Sequence, residues 1–381
     1  MRTTTDTDMD YKSYVTDFEK LFRELDKKEP SRNRPVSENS SERTVQLYRF
    51  LCDCYGKHII SGQQMLYPDE FEDIVYYRET GDLPAIKGFD FMDETGRHEY
   101  YDQMTRALRW VKESGGILTL CWHWYMPNDI DDFSKGFSFY SENSSFDLVK
   151  AVTPGTREYE LVIDDIDCIA KLLMRFSEEG IPVLWRPLHE SNGSWFWWGK
   201  RDDETREAYK KLWYIMFDRL ENFYRLDNLI WVWNGQDKDM LVHPATFDIS
   251  GDDIYPPEEV CTDHSTQSER YNYMLSYIGD KPVTLSECKF IPDPILLKKE
   301  GVKWLWWLPW WGIFVYKFDE NHNQIIGSDG YPVLNEDILE RDFLRRTFAD
   351  DYVITLKKLP WFDGDKYKLP SHVAKLEILP R

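Results

Sequence analysis

Short apolar runs alternate with amphipathic stretches along most of this chain. His58 to Ser61, Ala85 to Phe89, Gly116 to Trp122, Pro182 to Leu188, Leu229 to Trp233, Phe247 to Asp253, Pro282 to Ser286 and Lys303 to Trp307 read as buried strands. Between them, apolar residues recur three and four apart, as helices require: Tyr101, Met104, Leu108 and Val111; Val162, Ile166, Ile169, Leu173 and Phe176; Leu212, Trp213, Met216, Leu220 and Phe223. Eight strands, each followed by a helix, predict an α/β fold with a parallel sheet closed into a (β/α)8 TIM barrel. In such a barrel the chemistry gathers at the C-terminal ends of the strands.

The flanks follow another pattern. Tyr11 to Lys27 and Glu42 to Tyr55 predict outer helices joined by a Ser/Pro/Asn/Glu-rich loop, and Asn335-Glu336-Asp337 looks like the capped start of a last helix carrying Ile338, Leu339 and Leu344. The chain therefore divides into an N-terminal helical extension (1–55), the barrel (56–360) and a C-terminal tail (361–381), which is either a strand-like clasp or frayed. The long connection from His123 to Arg157 carries Phe133, Phe137, Phe139 and Tyr140, and a structured loop of that length is expected to wall a cleft.

Composition narrows the partner. With 47 basic against 68 acidic residues among 381, the net charge is −21, which argues against nucleic acid or an anionic membrane surface. Aromatics make up 16% of the chain, more than a core needs, and stacking on neutral sugars is a use for the surplus. The opening MRTTTDTDMDYKSYV has no apolar stretch, and no later run is long enough to span a membrane. A cytoplasmic protein is expected, or an exported one whose leader has been removed. The six cysteines lack zinc spacing and read as free thiols in a reducing compartment.

Candidate chemistry concentrates in Ile181 to Lys200, IPVLWRPLHESNGSWFWWGK, where Glu190 follows an apolar strand and precedes a tryptophan-rich turn. Aromatic faces suit sugar C–H faces and a carboxylate moves protons. The same residues also fit a structural Arg186–Glu190 ion pair beside core aromatics. A second carboxylate, Glu287 in KPVTLSECK, closes the seventh strand candidate, and a barrel brings the ends of strands four and seven to one mouth. A retaining glycosidase needs two carboxyls about 5 to 5.5 Å apart. No metal motif is present here, since His189-Glu190 lacks a second His at helical spacing and position 193 is Gly.

The segments WRPLHESNGSWFWWG and KPVTLSE resemble the acid/base and nucleophile motifs of glycoside hydrolase family 26, which consists chiefly of endo-β-1,4-mannanases. HIISGQQ, LPAIKGFD, LTLCWHW, NLIWVWN, ISGDDIY and DDYVITLKKL extend the resemblance over about Gly56 to Leu359. It implies a retaining hydrolase of β-1,4-mannosidic bonds with Glu190 as acid/base and Glu287 as nucleophile. No metal or organic cofactor is then expected, and a monomer acting on β-mannan or manno-oligosaccharides is expected. Desolvation by Trp195 and Trp198 should raise Glu190, whereas Glu287 must stay ionised. By the same resemblance Tyr255 donates to the nucleophile and His189 stands where related barrels carry an Asn that bonds the sugar 2-hydroxyl. His123 and Trp195 line the sugar site, and Trp310 is the platform under the central sugar. A structural role remains the alternative for either histidine. Ser191 and Cys288-Lys289 depart from the family pattern. Alternatives on the same scaffold are a β-1,3-1,4-glucanase, a β-1,3-xylanase or a silent sugar-binding barrel.

Overall fold

The structure, a computed structural model, describes residues 13–29, 31–257, 259–260 and 262–380. Residues 11 and 12 of the first expected helix, and Cys261, lie outside the described residues.

Seven parallel strands form the curled sheet: Gly62–Gln64, Ile86–Asp90, Ile117–Cys121, Val183–Arg186, Leu229–Trp233, Ile249–Ile254 and Val283–Cys288. Their pairing follows chain order, with Gly62 opposite Ile86, Ile86 opposite Ile117, Thr119 opposite Leu184, Val183 opposite Leu229, Val232 opposite Ile249 and Val283 opposite Ser250. All these strands are buried on both faces except the last two residues of Ile249–Ile254, which explains their near-continuous apolar runs.

The eighth strand, expected at Lys303 to Trp307, is not a regular strand. Residues 304–309 nonetheless close the barrel: Leu305 N donates to Val283 O (2.9 Å), Ile60 N to Leu305 O (2.9 Å) and Gln64 N to Pro309 O (3.0 Å). Pro309 has no N–H to continue a ladder, so pairing is confined to isolated bridges. The first strand is likewise broken, with Ile59–Ile60 preceding Gly62–Gln64. Gly62 is required there, because a Cβ would lie 2.4 Å from the Trp307 carbonyl oxygen.

The helix Arg157–Glu178 buries the whole expected stripe Val162, Ile166, Ile169, Leu173 and Phe176. The earlier stripe is shifted: Gln103–Arg109 and the π turn Trp110–Ser114 bury Met104, Ala107 and Trp110, while Tyr101 precedes the helix. The expected N-terminal helices occupy Phe18–Leu25 and Glu42–Cys54, the second capped by Ser41. The last helix begins at Arg341, six residues after Asn335, because Asn335 O instead closes a turn by accepting from Ile338 N (3.1 Å) and Leu339 N (2.8 Å).

Two flanking segments take forms the sequence pattern does not fix. Residues 316–334 make an antiparallel excursion through the bridges Tyr316↔Leu334, Phe318↔Gln324 and Ile326↔Pro332. The C-terminal tail is a clasp without a strand. Trp361 Nε1 donates to Gly115 O (2.7 Å), Lys368 N to Glu113 O (2.8 Å) and Leu379 N to Arg78 O (2.7 Å), while His372 Nε2 meets Asp73 Oδ2 (2.9 Å). Pro360, Pro370 and Pro380 interrupt any continuous ladder along it.

Candidate active site

The fourth strand ends at Arg186, and the chain then turns sharply, with Leu188 and Glu190 both at φ +53°. Left-handed conformations in non-glycine residues cost about 1–3 kcal/mol each and persist only where the surroundings over-determine them. Here Glu190 N donates to both O (2.9 Å) and Oδ1 (3.0 Å) of Asn234, Trp198 Nε1 donates to His189 O (2.8 Å), and Lys200 N donates to Ser191 O (2.8 Å). Glu190 is thus held in this turn beyond the strand, half-buried and facing the mouth. Trp195 Nε1 donates to Glu190 Oε2 (2.7 Å), and Trp195 itself is 45% exposed. Its ring lies over Gly193, where a Cβ would come within 2.1 Å of it.

Glu287 comes from the seventh strand, just after a register shift against the sixth, and is buried. Arg186 Nη2 donates to Glu287 Oε1, and the Tyr255 hydroxyl donates to Oε2 (2.7 Å). Arg186 Nη1 also reaches Asp253 Oδ2 (3.0 Å), so its partners are Asp253 and Glu287 rather than Glu190. Asp253 accepts in addition from Asn234 Nδ2 (2.9 Å) and Ser286 Oγ (2.7 Å). One carboxylate oxygen from each of Glu190, Asp253 and Glu287 lies within 4.8 Å of the other two. Cation charge in this cluster is supplied by the Arg186 guanidinium.

Burial raises both glutamates, and Asp253 adds to it in each. Burial, followed by the Asp253 and Glu287 carboxylates, pushes Glu190 well above the ordinary carboxylate range. Burial also pushes Glu287 up to about 7, although Arg186 and the Tyr255 hydroxyl favour its ionised form. The expectation that Glu287 simply stays ionised is therefore too strong, because desolvation and Asp253 work against it.

His123 and His189 meet through their Nε2 atoms at 3.2 Å. Asp90, ending the second strand, receives His123 Nδ1–H at Oδ2 (2.5 Å) and His123 N at Oδ1 (2.9 Å). His123 Nδ1 faces Asp90 and its Nε2 faces His189 Nε2, so one of the two Nε2 atoms donates to the other. Burial holds His189 well below the usual histidine range, so it is neutral. His189 is 1% exposed and stands behind His123; its Nδ1 is buried without a hydrogen-bond partner. Trp310 is half-buried, with its ring 5.7 Å from His123 in edge contact.

Sequence reasoning did not find Arg186, Asp253, Asn234 and Asp90 as site residues. Their signal was present as polar residues inside or just after apolar strands, where each must have a buried partner. The long connection after His123 does reach the site, through Phe139, 4.7 Å from the His123 ring, and Tyr140, stacked on Phe196 at 5.9 Å. Ser141 N locks it to Trp195 O (2.7 Å). Phe133 and Phe137 pack on each other instead, with Arg157 and Arg97 over them.

Comparison with known proteins agrees with this geometry. Residues 36–336 match glycosyl hydrolase family 26. The chain is 36% identical to mannan endo-1,4-beta-mannosidase A of Piromyces sp over 77% of its length, and it spans 49% of that relative, about half. It is 31% identical to a mannan endo-1,4-beta-mannosidase of Thermothelomyces thermophilus, over 92% of this chain and 69% of that one. A solved beta-mannanase from a symbiotic protist of the termite Reticulitermes speratus, complexed with gluco-manno-oligosaccharide, superposes with a TM-score of 0.72 at 32% identity. It covers 86% of this chain and 98% of its own. The chain belongs to glycosyl hydrolase family 26.

Proposed function

We propose that the protein hydrolyses β-1,4-mannosidic bonds in mannan or manno-oligosaccharides with retention of configuration. The observation that carries this reading is the unequal setting of two carboxylates whose oxygens approach within 4.8 Å. Among the described residues, Glu190 has one side-chain donor, Trp195, and no cation paired with it, whereas Glu287 has Arg186 and Tyr255. A carboxyl without a cation keeps its proton and serves as the acid. One that is paired with a guanidinium and a hydroxyl is oriented for attack. The short separation leaves no room for a water between carboxylate and sugar, which favours double displacement over inversion.

In the first step Glu190 gives its proton to the leaving-group oxygen while a Glu287 oxygen bonds to the anomeric carbon. In the second, the Glu190 carboxylate takes a proton from water, whose oxygen displaces Glu287. His123, held by Asp90 and His189, presents a ring of fixed orientation beside Trp310, where the central sugar would lie. Mannose in place of glucose or xylose is supported by the names of the relatives, which are mannosidases.

A reducing-sugar assay across mannan, glucomannan, lichenan and β-1,3-xylan tests the reading. Preference for mannan by at least about a hundredfold in kcat/KM is expected, the scale of a few kcal/mol when a buried polar group loses its partner. Preference for lichenan or xylan, or no hydrolysis of any, refutes it.

A further inference from the structure

Asn234, the residue after the fifth strand, is fully buried between the turn that carries Glu190 and the carboxylates beside Arg186. Its Oδ1 accepts from Glu190 N (3.0 Å) and Gln236 Nε2 (3.1 Å), and its Nδ2 donates to Asp253 Oδ1 (2.9 Å) and to Ser286 Oγ. Ser286 Oγ in turn donates to the same Asp253 oxygen (2.7 Å). A side-chain amide offers two acceptor sites and two donors, so all four are used. Its orientation is fixed as well, because a backbone N–H only donates and an ionised carboxylate only accepts.

The backbone leaves room for this arrangement. A Cβ at Gly251, in the sixth strand, would come within 2.2 Å of Ser286 Oγ and 2.8 Å of Asn234 Nδ2. Gln236, which completes the set, is a non-glycine residue at φ +58°, and its carbonyl accepts from Arg270 Nη2 (3.1 Å), which pairs with Asp252. A buried polar group with every bond made admits one arrangement of its partners. The partners here are the strained turn of Glu190 on one side and, through Asp253 and Arg186, Glu287 on the other.

We propose that Asn234 is a positioning residue that sets the acid against the nucleophile by tying the Glu190 turn to Asp253, and that its side chain must be uncharged to do so. A carboxylate at this position would keep an acceptor for Glu190 N, but it would lose both donors and face Asp253 as a fourth carboxylate. The charged and titratable groups that act on Glu190 are Asp253, Glu287 and Arg186 from strands six, seven and four, with the Tyr140 and Tyr255 hydroxyls beyond them. The proposal rests on the hydrolase reading for the roles of acid and nucleophile, but part of its test needs no turnover.

Asn234→Asp should move both limbs of the pH–rate profile up by about one pH unit, since an added negative charge opposes ionisation of Glu190 and Glu287 alike. The same shift should appear without substrate, as a higher midpoint for Glu190 in a carboxyl-carbon NMR titration assigned with Glu190→Gln. Asn234→Ala removes the tie without adding charge, and it is the second variant should Asn234→Asp lose its cooperative thermal melt. It should lower kcat/KM on mannohexaose by at least about tenfold, and by less on an aryl β-mannobioside whose good leaving group needs little protonation. An unchanged profile and midpoint in Asn234→Asp, or equal losses on the two substrates in Asn234→Ala, would overturn the role. A wild-type protein that cleaves neither substrate would instead refute the hydrolase reading, and the carboxyl midpoint would then still decide whether Asn234 governs the charge state of Glu190.

Discussion

Removing the Tyr255 hydroxyl should move the acidic limb of the pH–rate profile without touching the acid. In the structure the hydroxyl donates to Glu287 Oε2 at 2.7 Å, while Oε1 is bound by Arg186. A hydrogen bond to a charged group contributes about 1.5–3 kcal/mol, and part of that also serves the neutral carboxyl. The difference between the two protonation states is then about 1.4 kcal/mol, or one pKa unit. Burial already holds Glu287 up to about 7, so Tyr255→Phe should take it up by about one unit more. The sign is fixed: the hydroxyl favours the ionised form, and its loss makes the carboxyl ionise later. Activity that needs the carboxylate therefore falls most at low pH. For an aryl mannobioside with a good leaving group, kcat/KM should drop about tenfold more at pH 6 than at pH 9, since ionised Glu287 becomes about ten times scarcer only below its pKa. The limbs belong to the interacting pair, so the whole profile should be fitted rather than one point. A loss of the same factor at every pH would refute tuning and leave Tyr255 a purely positional role.

Glu190→Ala should lower kcat/KM on manno-oligosaccharides by about a thousandfold, yet leave glycosylation by a good leaving group much faster, with azide restoring turnover as a β-azide product; equal losses on poor and good leaving groups would reverse the assignment of roles. Gly193→Ala should displace the Trp195 ring, costing about 1–3 kcal/mol in stability and at least about tenfold in kcat/KM on unactivated substrates; an unaltered melting temperature and rate would contradict the close approach. His189→Ala should lower kcat more than it raises KM, because the His123 ring it positions acts where the sugar reacts; a change confined to KM would place the pair in ground-state binding. Thiol titration of the denatured, unreduced protein should count all six cysteines; the five described ones form no disulfide in the structure, and a lower count would show oxidation.

Much of the barrel was legible because its strands are buried on both faces and so read as apolar runs, and the two glutamates stood out by ending such runs. What escaped was pairing between distant elements. Asp253 lies in a sequence of acids, ISGDDIY, and nothing local says that it turns to Arg186 while Asp252 turns to Arg270. Asp90 looked like a strand end until His123 closed on it. The eighth strand was placed correctly but expected to be regular; the broken first strand beside it and Pro309 reduced it to bridges. Residues 316–334 carry alternation too weak to announce a meander, and the tail follows a course set by isolated contacts, which no periodicity encodes.

The charge arrangement explains why a single buried arginine suffices. Three carboxylates converge, and Arg186 contacts two of them, Asp253 and Glu287. Asp253 gains two neutral donors besides, from Asn234 and Ser286, and Glu287 gains one, from Tyr255. Among the described residues, Glu190 faces the remaining negative charge with one side-chain donor, Trp195, and the Arg186 charge, which is not paired with it, to offset it. Ionising it as well would put three negative charges against one positive charge in a desolvated pocket, where charge repulsion is weakly screened. In the proposed mechanism the proton therefore resides on Glu190 until a leaving-group oxygen takes it. As that happens, Glu287 loses its charge to the new bond, and the site returns to two carboxylates and one guanidinium. Burial holds both glutamates high and Asp253 adds to it, so in the proposed mechanism the acid is poised in part by a residue that need not touch the sugar.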